Sequence, residues 1–273
     1  MLHEFEYARP GSAAELFSLL GKYSDGGMIL AGGTDLLPNI RNGTRKPLAV
    51  IDIKKIPGSD ALVYKEGQGL SIGPAVTIND ILRSETARSA FPVLCVCAHE
   101  LASHQVRNRA TVCGNIVNAS PCADMAPALL CLDASVHIAS GSGTRVLPVR
   151  DFFTGPKKTV LKAGEWLEKI TVPDSSKNAT GNYLKLKRIA GHDLGIVGVL
   201  MVKRQGKVFF AVSSAAPTPV LVDSVSASDG EETAVKKVLA SVSPISDVRS
   251  TKEYREYMIG VYEIGRASCR ERV

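Results

Sequence analysis

The sequence is poor in the features that mark several large classes of protein. Aromatic residues make up only 5% of its 273 residues. No apolar run reaches the roughly 18–20 residues that a membrane span requires. The N-terminal stretch MLHEFEYARP carries acids where a secretion signal would carry basic residues. We therefore expect a protein of the cytoplasm, or at least one that its own N-terminus does not export.

The charge balance is mildly basic without a concentrated basic surface. The chain has 33 Lys and Arg residues against 27 Asp and Glu residues, which gives a net charge of +6. The densest basic stretch, KLKR at 185–188, lies inside an alternating pattern typical of a strand. Basic residues do not alternate with aromatic ones that could stack on bases, so nucleic-acid binding is disfavoured. Ligands that carry phosphate remain compatible with the positive charge.

The cysteines are too scattered to suggest a metal centre. They stand at positions 95, 97, 113, 122, 131 and 269, with no Cys-x-x-Cys pair. Zinc and iron–sulfur sites normally use closely spaced thiolates, so we predict buried thiols in a reducing compartment and no metal site. The 5 histidines are equally scattered. Because neither a Ser-His-Asp order nor a carboxylate pair stands out, we predict no catalytic residue in this chain.

Length and residue pattern indicate an α+β protein of about two domains. Hydrophobic residues make up 45% and charged residues 22% of the chain, as in ordinary globular proteins. Strands and helices are mixed without a strict βαβ rhythm. A polar stretch at 174–182 predicts a domain boundary. Beyond it we predict three strands and two helices, at 183–188, 194–202, 207–215, 232–240 and 251–262.

The last residues, EIGRASCRERV at 263–273, break the amphipathic pattern of the preceding helix. They resemble the translation of a sequencing-adapter read joined in frame to a gene fragment. We therefore expect a non-native tail, a truncated last helix and a missing natural C-terminus. Cys269 is left out of the fold prediction for this reason.

A first glycine segment, AGGTDLLP at 31–38, follows an apolar strand. Paired glycines let the backbone turn sharply and bring successive N–H groups close to a ligand. Concave rows of such amides bind phosphate without a lysine. Taken alone, the segment fits a simple strand–helix turn capped by Thr34 or Asp35 at least as well.

A second segment, QVRNRATVCGNIVNASPCADM at 105–125, carries more polar groups. Thr111, Gly114 and Asn115 supply a hydroxyl, a glycine and an amide side chain within five residues. Ser120 in front of a proline predicts the start of a helix, with Asp124 in its first turn. A carboxylate there either complements the helix dipole or accepts hydrogen bonds from a ligand.

Neither segment is a GxGxxG or a GxxxxGK loop, so the two common nucleotide-binding motifs are absent. Together they resemble the FAD-binding (medium) subunit of the xanthine dehydrogenase and carbon monoxide dehydrogenase family of molybdenum hydroxylases. The resemblance runs from about residue 3 to 262. It includes DFFTGPKKTVLKAGEWLEKITVP, YLKLKRIAGHDLGIVGV and APTPV, at 151–173, 183–199 and 216–220.

The resemblance implies an α+β architecture with FAD as the cofactor. A two-subdomain FAD-binding fold of the vanillyl-alcohol-oxidase (PCMH) type would precede a C-terminal domain with a three-stranded sheet and helices. The implied FAD-binding domain covers residues 1–173, with subdomains at about 1–57 and 58–173, and the C-terminal domain covers 183–262.

The resemblance also implies which residues hold FAD. The two glycine segments would clasp the pyrophosphate, Leu101 and Ala102 would lie along the flavin, and Asp124 would accept hydrogen bonds from the cofactor. Lys185 could equally be a solvated strand lysine. The implied cofactor-binding residues are Leu30, Ala31, Gly32, Gly33, Thr34, Asp35, Leu36, Leu37, Leu101, Ala102, Thr111, Gly114, Asn115, Asp124, Trp166, Leu167 and Lys185.

Cys113 departs from the family pattern, because relatives usually have glycine at this position. A left-handed backbone at a cysteine would cost about 1–2 kcal/mol. Either the backbone at 113 is ordinary, or FAD binding is weakened. No histidine stands in the first glycine segment, which favours non-covalent FAD.

The function implied by the resemblance is electron transfer. Electrons would arrive from 2Fe–2S clusters on a small partner subunit, after a large partner with molybdopterin oxidises the substrate. They would leave FAD for NAD⁺, a quinone, ferredoxin or oxygen. Two alternatives remain open: a self-contained FAD-dependent oxidoreductase of the wider family, and a scaffold subunit without flavin.

Overall fold

The computed structural model describes residues 3–189, 191–225 and 231–267. Its strands are β1 (Glu6–Ala8), β2 (Gly27–Leu30), β3 (Ala49–Asp52), β4 (Leu62–Lys65), β5 (Gly69–Ile72), β6 (Ser135–Ser140), β7 (Gly143–Pro148), β8 (Phe153–Gly155), β9 (Lys158–Thr159), β10 (Trp166–Val172), β11 (Thr180–Leu186), β12 (Val197–Arg204), β13 (Lys207–Ser213) and β14 (Val220–Val225). Its helices are α1 (Ala13–Tyr23), α2 (Leu36–Arg41), α3 (Ile78–Arg83), α4 (Glu85–Ala90), α5 (Pro92–Glu100), α6 (His104–Arg107), α7 (Val112–Val117), α8 (Met125–Cys131), α9 (Glu231–Ser241) and α10 (Lys252–Ala267). Across these ranges no helix has the length and apolar character that crossing a bilayer demands.

The N-terminal residues form a small parallel sheet in the order β1-β3-β2. Helix α1 covers this sheet, because Leu16 and Leu20 lie on one helix face and pack in a cluster with apolar residues of β3. Ser12 followed by Glu15 is a capping-box pattern that predicts a helix start here, and the Ser12 hydroxyl accepts a hydrogen bond from the N–H of Glu15 (3.2 Å). The sheet thereby anchors the first glycine segment, which starts directly after β2.

A second sheet is antiparallel and has the order β4-β5-β10-β6-β7. The segment at 61–73 predicts a hairpin around Glu66–Gly69, and strands β4 and β5 form it. Helices α5, α7 and α8 lie between this sheet and the C-terminal one: α7 contacts β10, α5 contacts β11, and α8 contacts β12 and β13. Their buried side chains make up the main apolar core.

The C-terminal sheet has four antiparallel strands in the order β11-β12-β13-β14, so the predicted number of three is wrong. Pro217 and Pro219 are typical of a turn, so the sequence pattern did not indicate strand β14, which follows them directly. Both faces of the sheet are covered. Leu200 belongs to the main core, whereas Val199 belongs to a second cluster with α9 and α10, as strand alternation requires.

The predicted linker at 174–182 is shorter in the structure, because β11 already begins at Thr180. Leu200 and Val202 of the C-terminal sheet share one core with Leu129 of α8. The chain therefore continues across the linker without a break in packing. The division into units at 1–173 and 183–262, and the subdivision near residue 57, stay predictions.

Two predicted helix boundaries are wrong. Helix α8 begins at Met125 rather than at the proline after Ser120, because the Ser120 hydroxyl accepts a hydrogen bond from Cys122 N–H (3.2 Å) and closes a local turn. Asp124 is therefore the N-cap residue, not a first-turn residue. Helix α10 continues to Ala267, beyond the predicted end at 262. Residues 268–273, with Cys269, lie outside the described residues.

A buried guanidinium group ties α10 to the C-terminal sheet. Arg255 is 1% exposed, and its guanidinium donates to the carbonyls of Ile196 and Ser214 and to Asp247 Oδ1 (2.7 Å for the carboxylate). Burial alone would raise the pKa of Asp247, but hydrogen bonds from Arg249 outweigh it and hold that pKa below the usual range. The carboxylate is thus charged and available to neutralise Arg255.

We expect Arg255→Leu to lower the free energy of unfolding by about 3 kcal/mol, because two buried carbonyls lose their donor and Asp247, which keeps its bonds to Arg249, loses its buried partner. Urea denaturation followed by circular dichroism measures this. Arg150→Leu is the control, since both side chains of the Arg150–Asp133 pair are about half exposed and the pair should contribute little. Equal destabilisation by the two variants would contradict the structural role of Arg255.

Candidate functional site

The first glycine segment is a loop with unpaired amides. It joins β2, which ends at Leu30, to α2, and Leu37 N–H donates to Gly33 O (3.0 Å). Gly33 has a φ of +76°, which glycine adopts without the penalty of a Cβ atom. Among the described residues, the N–H groups of residues 32–35 find no hydrogen-bond partner. Four successive donors are therefore available.

The carbonyl side of the same loop is fixed. Lys54 Nζ donates to Ala31 O (3.1 Å) and forms a salt bridge with Asp52 (2.7 Å), to which Tyr7 donates its hydroxyl (2.6 Å). Asp35 occupies the N-cap of α2 without a side-chain hydrogen bond to the helix. Asp35 is therefore at the N-cap position, but its side chain does not cap the helix by a hydrogen bond.

The second glycine segment begins helix α7. Thr111 Oγ1 caps the helix by accepting a hydrogen bond from Gly114 N–H (3.0 Å). Cys113 lies in the first turn with a helical backbone, so the left-handed penalty does not arise. Its thiol is directed to the carbonyls of Ile72 and Gly73, and burial raises the pKa of that thiol. The departure from the family pattern at 113 is thus accommodated by ordinary geometry.

The two glycine segments are in direct backbone contact. A Cβ atom on Gly32 would lie 2.0 Å from the carbonyl oxygen of Arg109 and 3.0 Å from Cα of Ala110. Gly114 is less confined, since a Cβ atom there would meet the Thr111 hydroxyl at 2.8 Å. Backbone packing therefore requires glycine at 32. At 114, glycine preserves the helix cap and keeps the neighbouring surface free of a side chain.

Asn115 connects the second segment to α8. Its Oδ1 accepts a hydrogen bond from the N–H of Met125 (3.2 Å). Because Met125 directly follows Asp124, this bond fixes Asp124 beside the second glycine segment. A single side chain thus links two elements of the site through residues that are ten positions apart in the sequence.

Asp124 is the centre of a buried polar cluster. Its Oδ2 lies 2.9 Å from Lys185 Nζ, and its Oδ1 accepts a hydrogen bond from the Tyr183 hydroxyl (3.2 Å). The Tyr183 hydroxyl is also 3.0 Å from Ser213 Oγ, and Lys185 donates to Glu100 O (3.1 Å). The cluster joins the loop after α5, the start of α8 and the C-terminal sheet.

Burial dominates the electrostatics of this cluster. It raises the pKa of the Asp124 carboxyl, an effect that the neighbouring Lys185 ammonium opposes. Burial and the charge of Asp124 both raise the pKa of the Tyr183 hydroxyl well above its ordinary value. The Lys185 side chain is 2% exposed, so it is not the solvated strand lysine that the sequence left possible.

Leu101 and Ala102 follow α5 directly and lie next to the same cluster. Leu101 is buried, and Ala102 is partly exposed with a φ of +45°. A left-handed backbone at alanine costs about 1–2 kcal/mol. Arg107 donates to the carbonyls of both residues (2.9 and 3.1 Å), which holds the turn in place.

Trp166 and Leu167 lie in apolar clusters rather than in the polar cluster around Asp124. Leu167 belongs to the main core, and Trp166 to the N-terminal apolar cluster against which Ala31 packs. The Trp166 indole N–H is buried without a partner among the described residues. Trp166 also lines a groove of about 230 Å³ with Ile56 and Lys169, to which neither glycine segment contributes.

The sequence pattern did not indicate three residues in or beside this cluster: Tyr183, Glu100 and Arg107. Tyr183 had a usable signal, because residues two apart on a strand share a face and Lys185 was already a candidate. Glu100 gave none, since it takes part through its backbone carbonyl. Arg107 gave none either, since its acceptors are carbonyl groups.

The geometry fits the cofactor that the sequence implies. Successive unpaired backbone amides bind phosphate groups, and those of residues 32–35 adjoin the second glycine segment. The Asp124–Lys185 pair supplies a carboxylate acceptor, and the Asn115 contact holds Asp124 beside the second glycine segment. Together these groups form a donor-rich surface beside a buried acceptor, as a ligand with both a pyrophosphate and hydrogen-bonding groups requires.

Comparison with known proteins identifies the family. Residues 3–175 match the family described as FAD binding domain in molybdopterin dehydrogenase. The carbon monoxide dehydrogenase medium chain of Hydrogenophaga pseudoflava is 29% identical over 269 residues, 94% of this chain and 93% of that one. The xanthine dehydrogenase FAD-binding subunit of Escherichia coli O157:H7 is 29% identical, over 93% of each chain. The structure of cyanide-inactivated Cu,Mo-CO dehydrogenase matches with a TM-score of 0.90 and 28% identity, over 99% of this chain and 100% of that chain.

The chain therefore belongs to the family of FAD-binding domains of molybdopterin dehydrogenases. This confirms the resemblance to the medium subunit of molybdenum hydroxylases, the α+β FAD-binding fold and FAD as the cofactor. It also confirms the prediction of a flavoprotein of the oxidoreductase class. The roles of individual residues in FAD binding stay predictions.

Gly32→Ala should reduce FAD binding, because its methyl group must displace the Arg109 backbone and separate the two segments. We expect a loss of about 1–3 kcal/mol in unfolding free energy, typical of overpacking, and a purified protein depleted in flavin. Gly21→Ala in α1 is the matched control, since a Cβ atom there meets nothing within 4 Å. Full flavin content in Gly32→Ala would refute the contact.

Lys185→Met should destabilise the fold by about 3 kcal/mol, because it leaves Asp124 buried without its counter-ion. Adding Asp124→Asn should recover part of this loss, since the unpaired carboxylate is then gone. Chemical denaturation of the two single variants and the double variant measures the coupling. Strictly additive losses would show that the two side chains do not interact.

Proposed function

We propose that this chain is the FAD-carrying electron-transfer subunit of a molybdenum hydroxylase complex. The observation that carries the proposal is the contact of the two glycine segments, which unites the unpaired amides of residues 32–35 with the Thr111 cap. Similarity to medium chains and FAD-binding subunits over 93–94% of the chain supports the same function.

The proposed work of the chain is to bind and orient FAD. The amides of 32–35 and the segment 111–115 bind the pyrophosphate. Residues 101–102 lie along the flavin, and Asp124, held by Lys185, accepts hydrogen bonds from the cofactor. Trp166 and Leu167 complete the proposed lining. FAD supplies the redox chemistry when bound, and the protein contributes position and electrostatics.

The burial of Asp124 defines what this group can do. Its carboxylate already accepts from Lys185 and Tyr183, so its orientation is fixed before a ligand binds. A preoriented acceptor avoids the entropy cost of ordering a side chain on binding. We therefore propose that Asp124 selects the hydrogen-bonding face of the cofactor rather than transferring a proton.

The proposed partners are a small subunit with 2Fe–2S clusters and a large subunit with molybdopterin. Electrons reach FAD from the small subunit, the large subunit oxidises the substrate, and NAD⁺ or another acceptor takes the electrons from FAD. Relatives are named as medium chains, which is consistent with such an assembly. We propose the cytoplasm as the location, where the described cysteines, which form no disulfide, stay reduced.

The purified chain should carry FAD that a chemical reductant bleaches, yet it should not oxidise purines, aldehydes, aromatic acyl-CoA compounds or carbon monoxide. Absorbance spectra under anaerobic titration test the first half, and turnover assays test the second. Acid precipitation should release the yellow colour into the supernatant, because no histidine in the first segment offers a covalent attachment point.

Each alternative has its own outcome in these measurements. A chain without a flavin band after addition of FAD would be a scaffold subunit. Turnover of one of those substrates by the lone chain, at a rate comparable to an intact complex, would make it a self-contained enzyme. Co-purification with subunits that contain iron, sulfur and molybdenum would support the subunit function directly.

A further inference from the structure

Arg107 is the last residue of the short helix α6, and its guanidinium gathers three backbone carbonyls. Nη1 donates to His99 O (3.0 Å), Leu101 O (2.9 Å) and Ala102 O (3.1 Å). Nε of the same group is buried without a hydrogen-bond partner among the described residues. The side chain is thus committed to these carbonyls even though one of its donors is left unsatisfied.

The turn that Arg107 holds is strained. Ala102 has a φ of +45°, in the region that favours glycine over residues with a Cβ atom. Such conformations persist where the surrounding structure imposes them, and they are common at functional sites. Hydrogen bonds from a charged donor are strong enough to impose this one.

Helix α6 is itself fixed from the opposite direction. The buried Asn79 side chain of α3 donates to His104 O (3.2 Å) and to Asn108 Oδ1 (2.6 Å). Ser103 caps the helix by accepting a hydrogen bond from Val106 N–H (3.3 Å). Arg107 therefore projects from a helix that is held in place. Movement of this helix cannot compensate for a shorter or more flexible side chain at position 107.

The position of Arg107 links the two parts of the proposed site. The carbonyl of Glu100, between those of His99 and Leu101, accepts the hydrogen bond from Lys185 Nζ (3.1 Å). On the other side, Arg109 is only two residues beyond Arg107 and packs against Gly32. A shift of the Arg107 side chain would disturb the turn at 101–102 first.

We propose that Arg107 is a positioning residue for the flavin. It holds Leu101 and Ala102 in the left-handed turn along which the flavin ring lies, and through the Glu100 carbonyl it supports Lys185. The inference rests on the proposed function, because it assumes that FAD occupies the site beside this turn. Arg107 itself acts through the backbone rather than on the cofactor.

Arg107→Lys tests the proposal, because lysine keeps the charge, but its ammonium ends one bond short of the position of Nη1, the atom that donates to all three carbonyls. We expect the dissociation constant of FAD to rise by roughly tenfold. The absorption bands and the midpoint potential of the FAD that stays bound should shift. Arg88→Lys is the control, since Arg88 also donates to a backbone carbonyl, that of Leu82, but at an exposed position.

The double variant Arg107→Lys/Ala102→Gly separates positioning from folding. Glycine adopts a positive φ without the penalty, so we expect the FAD affinity of the double variant to return to within about threefold of that of Ala102→Gly, with the same flavin spectrum. Ala102→Gly is the reference here, because Ala102 itself lines the proposed flavin site. A merely structural role for Arg107 would lower the melting temperature and leave the spectrum and potential of bound FAD unchanged.

The outcomes are distinguishable. If the wild type binds FAD and Arg107→Lys binds it with the same affinity, spectrum and potential, the proposal is overturned while the proposed function stands. Failure of Ala102→Gly to restore the spectrum also overturns it, since strain at 102 would then not be the link. A wild-type chain that binds no FAD overturns both.

Discussion

Gly32 packs so closely on the carbonyl group of Arg109 that no side chain fits between them, and the remainder of the site is arranged around this contact. The first segment is anchored on the parallel N-terminal sheet. The second is anchored elsewhere, by hydrogen bonds between Ile78 N–H and Ala110 O and between Val112 N–H and Val76 O. Because the two anchors are different elements of the fold, this contact brings the unpaired amides of one loop together with the capped helix of the other.

The C-terminal sheet completes the site rather than standing beside it. It packs one face on α8 and presents Lys185 and Tyr183 to Asp124. Among the described residues, Lys185 is the salt-bridge partner of this carboxylate. Burying a carboxylate and an ammonium is costly unless both find hydrogen bonds. Here the Tyr183 hydroxyl donates to the carboxylate, and Glu100 O accepts from the ammonium. A shared apolar core keeps these elements at fixed separations.

Local signals predicted much of the fold, including the Ser12 cap, the β4–β5 hairpin and the two glycine segments. They failed where neighbouring signals compete. Pro219 indicated a turn directly before β14, and Ser120 with its proline indicated a helix start where the chain forms a local turn. The contact between residue 32 and residue 109 is long-range, so no periodicity could reveal it. Arg107 escaped because a side chain that binds carbonyls leaves no pattern in the sequence.

The residues at 32, 114 and 113 show that glycine is required for different reasons in the two glycine segments, or not at all. At 32, a Cβ atom would strike backbone, which cannot move aside without separating the two segments. At 114, it would meet the hydroxyl of the Thr111 cap, which a side-chain rotation can relieve at the expense of the cap. At 113, the backbone is helical, and the cysteine side chain turns inward to the carbonyls of Ile72 and Gly73. The constraint on the surface that the two glycine segments share thus lies at 32 and 114, and the residue at 113 belongs to the core.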